Sequence, residues 1–352
     1  MYRRFCMTIG MVALFGSITS FAASCSQQPN KIEQPTDSIT SNASVQEPEL
    51  AFPLPEIPLS ITSPRERALY FVKHYWDEFN FMDSAYLEKP QNMEVSIANF
   101  LGVAIALPVD EVKSSIIYPL EKSSGALLEL FIKFYKKYLY EPNSPMLNEE
   151  YYIPAVAFLM KSPKVSFAER IRLKERYELV LRNRIGTKAE DFIYEQSNGS
   201  LHRLSSRFTL NTILVFYEPG CHTCSELIRQ LHQDDWLRNL VESKQLSILF
   251  IYPDNDKNAW VAGLSDFPDF VEVGINSDSS ITDRQLYDIK ASPTIYLLDN
   301  HGYVILKDVQ IGVIKEYLKE KKDLNAWNSI AHCVCVCVCM HVCVSVCVED
   351  GG

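Results

Sequence analysis

Two rhythms of apolar and polar positions divide the chain. From Ser63 onward, Leu69, Val72, Trp76 and Phe79 recur at spacings of three and four, which places them on one side of a helix. Ser63 supplies an N-cap, Pro64 the first helical position and Glu66 the return partner of a capping box. The same spacing predicts helices over 93–107, 126–140, 149–161 and 167–182, the last with its own Ser166 to Glu169 capping box. Pro90, Pro108, Pro142, Pro145 and Pro163 fall in or near the gaps, where breakers belong. Residues 63–185 therefore read as an all-helical domain of about five or six helices. Its aromatic residues sit at helical spacing, the pattern of a core rather than of a ligand box. No carboxylate pair, nucleophile with a base, or metal spacing stands out in it.

Beyond Gly186 the rhythm becomes strands alternating with helices, the signature of an α/β unit over 186–325. Segments 191–194 and 201–204 flank Asn198-Gly199, a hairpin turn. Residues 213–217 and 246–252 are short, wholly apolar runs suited to strands covered on both faces. A helix begins near Cys224 with Leu227, Ile228 and Leu231 inward. Segments 294–298 and 303–306 form a second hairpin, and Ile311, Ile314, Tyr317 and Leu318 space a terminal helix.

Composition refines this picture at the two ends. The 352 residues are 47% hydrophobic and 22% charged, which disfavours wholesale disorder and a polytopic membrane protein. A net charge of −10 leaves no electrostatic footprint for a nucleic-acid backbone. Arg3 and Arg4 precede an uncharged apolar run over 5–21 that ends in Ala22-Ala23-Ser24-Cys25, the layout of a signal peptide over 1–24. Small residues directly before a cysteine resemble a bacterial lipobox, although Ala22 stands where such motifs usually carry Leu. That resemblance implies lipidation of Cys25 and a place in the bacterial cell envelope, facing the periplasm. Residues 25–62, rich in Gln, Pro, Ser and Thr, read as a flexible tether.

Ten cysteines are unevenly placed, and six of them lie with seven valines in the near-alternating tract Cys333 to Val348. Such alternation is what a translated TG dinucleotide run yields. Residues 326–352 are accordingly expected to have no role, the rival being a thiolate cluster for soft metals. Only Cys221 and Cys224 lie inside ordinary folded sequence.

Cys221-His222-Thr223-Cys224 stands directly between a predicted strand and the helix that follows. Free N–H groups and the helix macrodipole at such a terminus favour a thiolate on the first cysteine, and the thiolate is the reactive species. A second thiol one turn further on can attack the resulting mixed disulfide and release the partner reduced. Half a zinc site completed by His202 or His232 is the metal alternative, weakened by the lack of a second cysteine pair.

Residues 186–322 resemble the thioredoxin-like fold, in its extracytoplasmic, membrane-tethered oxidoreductase branch. Three segments carry the resemblance, in the right order: Gly186-Thr187-Lys188-Ala189-Glu190-Asp191-Phe192, then Phe216-Tyr217-Glu218-Pro219-Gly220-Cys221-His222-Thr223-Cys224, then Tyr287-Asp288-Ile289-Lys290-Ala291-Ser292-Pro293-Thr294 running on to Gly302. The whole layout is similar to bacterial lipoproteins that fuse a helical domain to such a module. The resemblance implies a mixed sheet flanked by helices, an attacking Cys221, a resolving Cys224 and a cis Pro293 against them. It further implies that the Ser292 backbone offers hydrogen bonds to an extended substrate. His222, Thr223 and Glu218 are expected to tune the pair or touch substrate, with no cofactor and no metal. Protein thiols and disulfides are the implied substrates, recycled by a membrane or periplasmic electron donor or acceptor. Many thioredoxins carry Trp and a buried Asp where this chain has Gly220 and Val215, so proton handling at Cys224 falls to another group or to water. Glu218 is the nearest candidate in sequence. The reading from a different functional class is a lipoprotein whose helical domain binds a partner while the second domain serves as scaffold.

Overall fold

Residues 51–321 are described by a computed structural model. The leader over 1–24, Cys25, the tether as far as residue 50 and the tail over 326–352 lie outside the described residues. The helical part consists of α1 (Pro64–His74), α2 (Pro90–Ala104), α3 (Val109–Lys122), α4 (Gly125–Leu139), α5 (Glu149–Leu159) and α6 (Phe167–Val180).

Helix α3 is missing from the sequence reading, which took Pro108 as a breaker and ran the preceding helix to Leu107. Pro108 instead occupies the N-cap position of α3, and Pro119 sits inside the helix. Val112, Ser115, Ile116, Pro119 and Leu120 bury one face at helical spacing, so tertiary burial outweighs the lost backbone bond. Helix α1 stops at His74, and the rings of Tyr75, Trp76 and Phe79 enter the core from the turns that follow. The Ser63 side chain makes no cap bond; its carbonyl accepts from the Arg67 N–H at 2.9 Å, and the fixed φ of Pro64 starts the helix. Ser166 does cap α6, accepting from the Glu169 N–H at 3.2 Å.

Aromatic residues make this core. Trp76 is ringed by Phe52, Tyr75, Phe79, Phe100 and Phe131 at centroid distances of 4.9–5.5 Å. The buried Tyr75 and Tyr135 hydroxyls donate to the carbonyls of Ser96 (2.7 Å) and Ile116 (3.1 Å), so neither phenol is left unsatisfied.

The second part is a seven-stranded mixed sheet of β1 (Ile193–Glu195), β2 (Leu201–Arg203), β3 (Asn211–Phe216), β4 (Leu246–Tyr252), β5 (Glu272–Ile275), β6 (Thr294–Leu298) and β7 (Val304–Lys307). Their order is β2-β1-β5-β4-β3-β6-β7, with β3 parallel to β4 and antiparallel to β6. Helices α7 (His222–His232), α8 (Asp235–Glu242), α9 (Lys257–Ala262) and α10 (Ser280–Asp283) follow in chain order, and a last helix, α11, runs over 311–321. Strand alternation splits the core into two faces. Ile213, Val215 and Tyr217 join one cluster with Leu227, Ile228 and Ile314, while Leu214 and Phe216 join the other with Tyr287 and Tyr296. Both faces are covered, which is why β3 and β4 lack polar alternation. Strand β5 is also absent from the sequence reading. Its Gly274 weakens the strand signal, yet a Cβ there would lie 2.5 Å from the Tyr194 ring, so the close approach requires glycine.

The two parts are stitched together after α6. Asn183, buried and at φ 50°, donates to the Leu286 carbonyl and accepts from the Glu190 N–H, both at 2.8 Å. Arg184 pairs with Glu150 of α5, Nε to Oε1 at 2.9 Å.

Candidate redox site

Strand β3 ends at Phe216, whose register partner on β6 is Thr294. The segments leaving these two paired positions therefore emerge side by side. One leads through Gly220 to Cys221, and the other contains Ser292 and Pro293, joined by a cis peptide bond. Gly220 sits at φ 78°, a left-handed conformation that turns the chain into α7; the Trp common at this position would be strained there.

Cys221 is the N-cap of α7, earlier than the helix start read near Cys224. Its half-buried sulfur accepts from the Cys224 N–H at 3.4 Å, and its thiol donates to the Ser292 carbonyl at 3.4 Å. The attacking-type position at a helix terminus and the loop before Pro293 are thus in direct contact. Cys224 lies one turn in and is 1% exposed. Burial pushes its thiol up to about 12, reinforced by the nearby Cys221 and Glu218 charges and opposed by a hydrogen bond from the Glu218 backbone. Both cysteines are free thiols.

His222, Thr223 and Glu218 are exposed, and His222 makes no hydrogen bond to the Cys221 sulfur among the described contacts. Thr223 and Pro293 both line a groove of about 660 Å³. Leu227 and Leu231 of α7 line one side, and Gln310, Ile311 and Gly312 at the start of α11 line part of the other. His202 and His232 are placed elsewhere: His202 contacts the Ser200 hydroxyl at 2.9 Å, and His232 the Asp266 carbonyl at 2.9 Å. Among the described residues no group of three or more His, Cys, Asp or Glu is arranged to hold a metal ion.

Two features escaped the sequence reading. Behind Cys224, on the same sheet face, the Tyr217 hydroxyl and the Trp260 indole N–H are buried close to each other, with no well-oriented hydrogen bond to any other group. Burial pushes the Tyr217 phenol up, with the Cys224 charge as the next cause. The period-two step from Val215 to Tyr217 would have placed this ring beside the buried cysteine. The second feature is a cluster of buried charges just before the cis-proline. Lys290, 5% exposed, lies 2.6 Å from Glu149, 2.5 Å from Asp308 and 3.8 Å from Asp288. Lys307, 6% exposed, reaches the other oxygen of Glu149 at 2.6 Å. Burial works to lower the Lys290 ammonium, but Asp308, Glu149 and Asp288 outweigh it and push it up to about 12. Burial raises the Asp288 carboxyl, against the pull of Lys290. Charged residues in an apolar stretch were visible in sequence at 288 and 290, but their partner on α5 was not.

A strand-to-helix cysteine pair beside a cis-proline, on a mixed sheet with helices on its faces, defines the thioredoxin-like class, and the chain belongs to this family. A thioredoxin-like protein from Bacteroides caccae is 36% identical and matches with a TM-score of 0.74, over 76% of this chain and 98% of that one. Residues 211–304 match the thioredoxin-like family, and residues 24–183 match a domain of unknown function, DUF5106. The C-terminal domain of an uncharacterized Bacteroides fragilis protein is 35% identical over 39% of this chain and 98% of that one, with a TM-score of 0.38. The thioredoxin domain of a thiol-disulfide oxidoreductase from Bacteroides vulgatus is 17% identical, over 39% of this chain and 96% of that one, with a TM-score of 0.35. No curated protein matches the chain. No described helix is long and apolar enough to cross a membrane.

Proposed function

We propose that the chain is a thiol-disulfide oxidoreductase acting on protein substrates outside the cytoplasm, tethered to the membrane by a lipid on Cys25. The observation that carries the redox reading is the asymmetry of the pair: Cys221 at the helix terminus touching Ser292, and Cys224 buried one turn behind it. The lipobox-like run before Cys25 supports the anchor and the periplasmic setting.

In the reductive direction, the Cys221 thiolate attacks one sulfur of a substrate disulfide. The substrate S–S bond breaks, a mixed disulfide forms, and the departing substrate thiolate takes a proton from water. Cys224 then gives its proton to the Glu218 carboxylate, whose charge already acts on it, or to water, and attacks the Cys221 sulfur. The second substrate thiol leaves, and both electrons have passed from the cysteine pair to the substrate. A dithiol partner at the membrane or in the periplasm restores the pair, and the reverse sequence would oxidise a substrate. In either direction the Ser292 carbonyl, released from the Cys221 thiol, is free to accept from a substrate amide beside Pro293. Thr223 borders the same groove, and the exposed His222 and Glu218, next to the pair in the chain, are the tuning groups. A scaffold role for this domain would not call for two thiols in this arrangement.

The test compares the reduced full chain with its Cys221→Ser form in stoichiometric reduction of a small aromatic disulfide. Rapid turnover of one equivalent by the native chain only is expected, and equal rates would refute the reading. The reduction potential of the pair then separates a reductant near about −270 mV from an oxidant near about −120 mV.

A further inference from the structure

The groove beside the cysteine pair is lined, besides α7, by two segments: the cis-proline loop, which brings Pro293, and the segment after β7, which brings Gln310, Ile311 and Gly312. Each wall is preceded, three residues earlier, by a buried lysine. Lys290 stands before Pro293 and Lys307 before Gln310. Both ammonium groups meet the same carboxylate, Glu149, which offers one oxygen to each at 2.6 Å. Glu149 belongs to the helical domain, as the first residue of α5, where Asn148 caps the helix by accepting from the Glu150 N–H.

The surroundings make this contact rigid. Asp308 closes on Lys290 from the β7 side, so the two loops are also bridged to each other. Tyr140 of the helical domain lays its ring 4.8 Å from the Lys290 ammonium and donates its hydroxyl to Asp288 at 3.3 Å. Lys307 also donates to the Arg182 carbonyl at 3.1 Å. All five charged groups are at most 10% exposed, so water cannot substitute for a lost partner.

We propose that Glu149 is a positioning residue for the redox groove, holding the cis-proline loop through Lys290 and the β7–α11 segment through Lys307. The helical domain thereby sets the groove for an extended peptide. This inference rests on the oxidoreductase reading for its substrate, but the clamp itself can be read without activity.

The experiment uses the full chain and Glu149→Gln, which keeps the shape and removes the charge. Two measurements are made: amide hydrogen exchange over 290–294 and 307–312, and single-turnover reduction by the pre-reduced chain, with no other thiol present, over a range of substrate concentrations. The two substrates are a cysteine peptide joined to glutathione and a nitrobenzoate disulfide. Exchange in both segments should quicken. The half-saturating concentration of the peptide should rise about fivefold or more, while the second-order rate constant for the nitrobenzoate reagent stays within about twofold, because only the extended ligand spans both walls. Unchanged exchange in both segments would overturn the clamp. Equal losses on the two substrates would overturn positioning in favour of general damage. Faster exchange with a native chain inert towards both disulfides would uphold the clamp and sink the oxidoreductase reading instead. Should Glu149→Gln fail to fold, Lys307→Gln cuts one arm only, and exchange should then quicken over 307–312 but not over 290–294; the same rate in both segments as in the native chain would refute the proposal.

Discussion

The backbone N–H of Cys224 points at the sulfur of Cys221 across 3.4 Å, while the Cys224 thiol itself is 1% exposed. One residue thus enters the pair twice: its amide hydrogen-bonds the partner's sulfur, and its own sulfur is held neutral by burial. Two chemically identical side chains acquire different surroundings from one turn of helix.

Alkylation should separate them. With the reduced chain near neutral pH, iodoacetamide should label Cys221 while Cys224, buried and pushed up to about 12, stays unmodified until the protein is unfolded. Peptide mapping by mass spectrometry reads this directly, and comparable labelling of both in the folded state would contradict it.

Removing the resolving thiol should stall the cycle after its first half. Cys224→Ser is expected to accumulate mixed disulfides with protein partners, seen as reducible high-mass bands, whereas Cys221→Ser should trap none. The opposite pattern would reverse the assignment of attacker and resolver.

The raised Cys224 thiol makes a prediction about alkaline stability. Between about pH 9 and 12 the unfolded chain loses this proton and the folded chain keeps it, so folding stability falls as pH rises, by about 1.4 kcal/mol per unit for this one group. Buried tyrosines add a similar slope to every variant. The difference between native protein and Cys224→Ala, followed by denaturant melts from pH 8 to 10, isolates the cysteine; parallel curves would show that the thiol is not shielded.

Asn183 should be worth more than an ordinary loop asparagine, because it is buried. Its replacement by Ala removes the donor to the Leu286 carbonyl and the acceptor for the Glu190 N–H, and places Ala at φ 50°. A loss of about 2 kcal/mol is expected from thermal or chemical melts. A change below about 0.5 kcal/mol would mean that this junction contributes little.

Cys25→Ala should shift the protein from the membrane fraction to the soluble fraction, since one acyl-bearing terminus would be lost. Retention of the variant in washed membranes would argue for an uncleaved anchor over 5–21.

What could be read in advance followed local rules. Strand 246–252 and the turn at Asn198-Gly199 were legible because a run of apolar residues and a glycine each constrain the backbone on the spot. The strand-to-helix cysteine pair was legible for a related reason: Cys221 and Cys224 are separated by one helical turn, so their closeness is written in nearby positions. Helix α3 was not, because the prolines at 108 and 119 argue locally against it and only burial against the other helices overrides them. Strand β5 was hidden by Gly274, whose purpose is set by Tyr194 far away in the chain.

The amino-acid order by itself therefore determined the two-part architecture and the strand-to-helix cysteine pair, because periodicity and motif spacing act over a few residues; the proline beside the pair followed only from the family resemblance. Only the tertiary structure decided that Cys224 is dry, that Tyr217 and Trp260 lie behind it, and that Glu149 reaches Lys290 and Lys307. Burial and charge pairing belong to neighbours in space, and Lys290 and Lys307 each lie more than a hundred positions from Glu149 in the chain.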